Sequence, residues 1–126
     1  MPKRSQILES LNKDLAKLGD AIVNFIASAS LTIFFKKPIG LKVKNTILKQ
    51  AWLAVYGRAG IRRGLMSPQD LAEAFIAYLW LKEEVNIEDM LKIFARRLFE
   101  LTPATREEVE EALKLSIEDL LKLGAT

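Results

Sequence analysis

Three acidic residues have the types and spacing to do chemistry: Asp20, Asp70 and Glu73. Asp20 lies in Leu18-Gly19-Asp20-Ala21. The run Asp70-Leu71-Ala72-Glu73-Ala74 puts two carboxylates three positions apart, on one face of a helix. No Asp or Glu lies between Asp20 and Asp70, an interval that carries Lys36, Lys37, Lys42, Lys44, Lys49, Arg58, Arg62 and Arg63. Convergent carboxylates hold hard divalent cations, and Lys and Arg hold phosphate. The combination suggests metal-assisted hydrolysis of a nucleic acid. Asp20, Asp70 and Glu73 are its candidate catalytic acids and ligands for Mg²⁺ or Mn²⁺. Lys42, Lys44, Lys49, Arg58, Arg62 and Arg63 are the candidate nucleic-acid contacts. The acids also have a plainer reading: Asp20 as an N-cap after a glycine turn, Asp70 as a capping-box acid, Glu73 as a solvated first-turn carboxylate.

Composition narrows the chemistry. The chain has no His and no Cys. Disulfides, zinc fingers, thiol nucleophiles, imidazole bases and haem ligation are therefore excluded. Half of the 126 residues are apolar and 28% are charged, the profile of a globular chain, read as one domain over residues 1–126. Net charge is only +3, but its distribution is uneven. The middle is purely basic, and the C-terminal part carries Glu100, Glu107, Glu108, Glu110, Glu111, Glu118 and Asp119. This asymmetry predicts a basic binding face with a solvated acidic segment elsewhere. Few Asn and Gln beside many Lys and Glu match thermophile compositions.

The elements that must position these residues read as helices throughout. Ser5 caps a first helix with Ile7, Leu8, Leu11, Leu15 and Leu18 on one face. A second, apolar helix runs from about Asp20 to Phe35, ended by Pro38 and Gly40. Its uncharged stretch of fifteen residues falls short of the ~20 that span a bilayer. It reads as a buried central helix of a cytoplasmic protein without a membrane partner. A third helix covers about 43–56, followed by a loop with Gly57, Gly60 and Gly64. Ser67-Pro68-Gln69-Asp70 opens a fourth helix, Asn86 a fifth, and Thr105-Arg106-Glu107-Glu108 a sixth. The expected architecture is all-α, a single compact bundle of about six helices. Trp52, Tyr56, Tyr78 and Trp80 fall at helical spacing and read as core or interface residues.

The two acidic motifs together resemble the catalytic domain of the ribonuclease III family. That family has a Leu-Gly-Asp-Ala signature ahead of an apolar helix. It also has Asp-x-x-Glu-Ala followed by apolar residues and an aromatic-Leu pair. Here these are Leu18-Gly19-Asp20-Ala21-Ile22-Val23 and Asp70-Leu71-Ala72-Glu73-Ala74-Phe75-Ile76-Ala77-Tyr78-Leu79-Trp80-Leu81. The resemblance spans about Leu11 to Leu81. It implies a homodimeric endonuclease domain that cleaves double-stranded RNA with Mg²⁺, with Asp20, Asp70 and Glu73 matching family catalytic acids. Full-length members carry further glutamates four and seven positions before the signature aspartate, where this chain has Ala16 and Lys13. The short mini-ribonuclease III branch, active in ribosomal RNA maturation and without a double-stranded-RNA-binding domain, also has alanine there. The chain is most similar to that branch in size and signature.

The same residues leave two alternatives. One is a ribonuclease III-like module that binds structured RNA without cutting it, which Lys13 and Ala16 favour. The other is a helical interaction domain with no nucleic-acid role, in which the three acids only cap helices.

Overall fold

The computed structural model describes residues 4–61 and 66–124, which form six helices without strands. They are α1 (Arg4–Ser10), α2 (Lys13–Phe35), α3 (Asn45–Tyr56), α4 (Pro68–Leu81), α5 (Ile87–Leu101) and α6 (Arg106–Lys122). The all-α expectation holds. α4 forms the axis of the core, buried without interruption from Leu71 to Leu79. A helix apolar on every side can only sit inside other helices. α2 lies along it, α3 packs beside both α4 and α6, and α5 bridges α2 and α6.

The N-terminal part differs from expectation. Ser5 lies inside α1, and α2 begins at Lys13 and runs unbroken through Gly19 and Asp20. Its cap is Asn12, whose side chain accepts the Leu15 N–H at 2.8 Å. Asp20 is therefore not an N-cap. A mid-helix glycine costs only about 1 kcal/mol against alanine, too little to end a helix that packing holds. Here packing requires it, because a Cβ at position 19 would overlap the Glu73 carbonyl. The two helices meet backbone to backbone at that point.

The longer α2 also changes the membrane comparison. At 23 residues it is long and apolar enough to cross a bilayer by length and composition. In the fold it buries Ile22, Val23, Ile26, Ala27 and Leu31. Its other face leaves Phe25 and Ile33 exposed, at 55% and 60%.

Beyond Phe35 the chain turns at Lys36, which adopts the left-handed conformation, and returns along α2 without regular structure of its own. α3 comes next, and Gly57 ends it in a positive-φ turn, donating its N–H to Leu53 O at 3.0 Å. Trp52, Tyr56 and Phe75 stack around the junction of α3 and α4, with ring centroids 4.6–5.8 Å apart. The Tyr56 hydroxyl donates to Leu121 O, tying α3 to α6. Trp52, Tyr56 and Tyr78 are buried as their spacing predicts, whereas Trp80 is half-exposed.

The cap signals at α4, α5 and α6 are realised. Ser67, Asn86 and Thr105 each accept a backbone N–H three residues on. Thr105 and Glu108 form the full reciprocal box, while the Ser67 cap is one-sided. Arg97 of α5 clasps Asp119 of α6 with two bonds, at 2.6 and 2.9 Å.

Candidate active site

The α2–α4 crossing opens a cleft of about 270 Å³. Asp20, Asp70 and Glu73 line it together. α2 supplies Asp20 one residue after the close approach at Gly19. α4 supplies Glu73 at the same crossing and Asp70 one turn earlier. The glycine thus sets the distance between the acids.

The acids do not sit in equal environments. Glu73 is the one charged side chain among the buried residues of α4, only 6% exposed. Burial pushes its carboxyl up to about 8, reinforced by its hydrogen bond to Asp20 and by the charges of Asp20 and Asp70. Asp20 is held below its ordinary value by the same hydrogen bond, by Lys42 and by Asn24. The two carboxyls therefore resist being ionised together, and the buried Glu73 is the one that favours its neutral form. Asp70 acts on Glu73 through charge.

Among the described residues no group of three or more Asp, Glu, His or Cys is gathered as a ready-made metal cage. The expected convergence of three acids is thus a contacting pair with a third acid at the rim. That donor set still suits a divalent cation. Two hard carboxylates that resist being ionised together have their natural counter-ion in a doubly charged cation. Mg²⁺ usually takes only one or two carboxylates and fills its shell with water and phosphate oxygens.

The rest of the lining is basic. Lys42 reaches Asp20 Oδ1 at 3.1 Å, and Lys13 and Lys17 approach from the first turns of α2. Ala16 and Asn45 complete the wall. Lys13 and Ala16 are the positions where longer family members carry glutamates, whereas Lys17 and Asn45 are additions that the sequence motifs do not mark. The signal for the two lysines was helical spacing, since positions 13, 17 and 20 share one face once α2 is known to be continuous.

The expected RNA contacts separate on inspection. Lys42 joins the acids. Lys44 is paired with Glu110 of α6 at 2.7 Å. Lys49 is exposed on α3, one turn beyond Asn45 and so along the edge of the cleft. Arg58 is exposed past the other end of α3, roughly 20 Å along the helix axis from Asn45. Arg62 and Arg63 lie outside the described residues. Two wider clefts, around Trp80 and Asp89 and around Arg96 and Lys122, are also lined by acids, but none of those acids is buried as Glu73 is.

The sequence profile of ribonuclease III matches residues 13–123, nearly the whole chain. The chain belongs to the ribonuclease III family. No curated protein shows significant sequence similarity to it. The match begins at Lys13, the first residue of α2, and includes every side chain that lines the cleft of this ribonuclease III domain. The family cleaves RNA, and its members act on double-stranded substrates, generally with divalent metal ions.

Proposed function

We propose that this protein is a small, metal-dependent endoribonuclease of the mini-ribonuclease III type. It would act as a homodimer on structured or double-stranded RNA, with ribosomal RNA maturation as one fitting role. The observation that carries the reading is the buried Glu73 gathered with Asp20 and Asp70 in one cleft that lysines also line. A structural acid gains nothing from such a place. A reacting group does, because burial strengthens every electrostatic interaction it makes.

In this reading Asp20 and Glu73 hold Mg²⁺ or Mn²⁺, with Asp70 at its edge. When bound, the ion supplies activation of water and neutralisation of charge on the phosphodiester. Glu73 must first lose its proton to the solvent of the open cleft. Lys42 exchanges Asp20 for a phosphate oxygen. Lys13 and Lys17 draw the RNA backbone to the rim, and Lys49 extends that track along α3. The exposed Phe25, Ile33 and Phe99 support a second copy, since apolar side chains this open favour a partner.

A second reading has its own observation. Lys42 already neutralises Asp20, and Lys13 and Ala16 stand where longer relatives hold acids. The cleft would then bind RNA phosphates and leave them uncut. One experiment separates the two. Wild type, Asp20→Asn and Glu73→Gln are incubated with a labelled RNA duplex in Mg²⁺, Mn²⁺ or EDTA. Metal-dependent cutting by wild type alone establishes the nuclease. Retarded, uncut duplex in every lane establishes the binding module. Neither binding nor cutting sinks both.

A further inference from the structure

Three of the polar residues that interrupt the apolar α2, Asn24, Ser28 and Thr32, form a single device. Thr32 accepts the Ile39 N–H at 2.9 Å and donates its hydroxyl to Ile39 O at 3.1 Å. Ser28 does the same with Leu41, at 3.0 and 3.2 Å. Asn24 accepts the Val43 N–H at 2.8 Å. Each rung advances four residues along the helix and two along the returning segment. Four helical residues rise about 6.0 Å and two extended residues about 6.6 Å, so the two repeats stay in step. The side chains of α2 thus serve as the missing neighbour strand for residues 39–43.

Asn24 departs from the pattern of the other two rungs. A hydroxyl makes the latch at Ser28 and at Thr32. The asparagine instead carries a second group. With its Oδ1 fixed on Val43 N–H, its Nδ2 is turned the other way and donates to Asp20 Oδ1 at 3.1 Å. Lys42, carried by the same returning segment, meets the same oxygen at 3.1 Å. Both donors converge on Oδ1, which leaves Oδ2 outside both contacts.

We propose that Asn24 is a positioning residue of the cleft: anchored by Val43, its amide sets the direction of the Asp20 carboxylate and locks it to the segment that carries Lys42. The inference rests on the reading that Asp20 works in a cation-dependent cleft. In this arrangement the returning segment is part of the site. Loosening it releases Lys42 and the orientation of Asp20 together.

Asn24→Ser is the discriminating variant: it removes the amide donor to Asp20 and keeps a hydroxyl of the kind that latches Leu41 and Ile39, with the Val43 amide reporting whether the latch survives. Binding of Mn²⁺ alone is followed by electron paramagnetic resonance, and cleavage of an RNA duplex by kcat and KM. The Val43 amide is followed by NMR. Residues that orient metal-binding side chains typically contribute about 10–100-fold in affinity or activity. The expected result is therefore a loss of about tenfold or more in Mn²⁺ affinity and in kcat, with KM for RNA and protection of the Val43 amide retained. Ser28→Ala serves as the reference for a lost latch, visible as faster exchange at Leu41. If Asn24→Ser keeps wild-type Mn²⁺ affinity and kcat while Asp20→Asn loses both, the positioning role is wrong and the cation-dependent site stands. If wild type itself shows neither Mn²⁺ binding nor cutting, the functional reading falls and the positioning role falls with it.

Discussion

Asp119 and Asp20 each face a basic residue, and the two contacts are built for different ends. Asp119 takes both arms of Arg97, at 2.6 and 2.9 Å, between two helices that need a clasp. The guanidinium fork matches a carboxylate, and its charged form is held more firmly by the acid beside it. Asp20 takes one 3.1 Å contact from Lys42, whose side chain is 66% exposed. Its buried neighbour Glu73 favours the neutral form. The first pair is satisfied and closed. The second is a single exposed contact to one oxygen, and under the proposed function that openness is what would admit a cation to Asp20 and a phosphate to Lys42.

The sharpest way to break the comparison is to neutralise one acid on each side. Glu73→Gln is expected to lower RNA cleavage by about 10²-fold or more, the scale of losing one preorganised charged group from a site. Asp119→Asn is expected to leave cleavage within about twofold and to lower stability by about 1–2 kcal/mol, as for a charge-assisted hydrogen bond. Single-turnover assays and thermal melts read the two axes separately. Equal losses of cleavage from both variants would erase the distinction.

Gly19→Ala attacks the crossing that creates the site. The new Cβ has nowhere to go but into the Glu73 carbonyl, so α2 and α4 must separate. Overpacking of this kind costs about 3 kcal/mol. Gly40→Ala, in open space, is the control and is expected to melt within about 0.5 kcal/mol of wild type. Matching melts for the two variants would show that the helices do not need their backbone contact.

The pH dependence of stability separates the same two regions more gently. Glu73 has a folded-state value raised to about 8 against an ordinary 4.5, so between these values the folded protein holds a proton that the unfolded chain has lost. Its contribution is fully present below about pH 4.5 and is lost as pH rises through about 8. Wild type should therefore lose up to about 2 kcal/mol across that window, solvent screening at the open cleft included, and Glu73→Gln should flatten the curve. Mn²⁺ should restore part of the loss above pH 7, by binding the ionised pair in the folded state alone. A wild-type profile already flat from pH 5 to 8 would place Glu73 among ordinary acids.

These two regions were also legible in the sequence to different degrees. The α5–α6 side could be read because its signals are local. Asn86 and Thr105 cap the helices they precede, and the apolar spacing of Met90, Phe94 and Leu98 marks the buried face. The membership of Asp20, Asp70 and Glu73 in one cleft could be read from motif order. The features that could not be read depend on contacts distant in sequence. Gly19 looks like a helix break until Glu73 is placed against it. Asn24, Ser28 and Thr32 look like interruptions of an apolar helix until the returning segment is laid beside them. Lys44 looks like a phosphate contact until Glu110 is found across from it.

The smallest effect on stability carries the most information about function. Lys42→Met removes an exposed ion pair worth about 0–1 kcal/mol, so its melt should scarcely move. Its consequences for ligands are larger and run in opposite directions. Without the ammonium on Oδ1, Asp20 is freer to hold a cation, and Mn²⁺ affinity should rise about two- to fivefold, on the scale of about 1 kcal/mol for one screened charge contact. Without a phosphate partner, RNA affinity should fall, and the slope of log K against log salt should shrink by about one. The two together would make Lys42 a residue that trades Asp20 for substrate. If RNA affinity falls and Mn²⁺ affinity stays where it was, the lysine serves only the RNA. The cation then binds without competition from Lys42, and the exchange of Asp20 for a phosphate oxygen is ruled out.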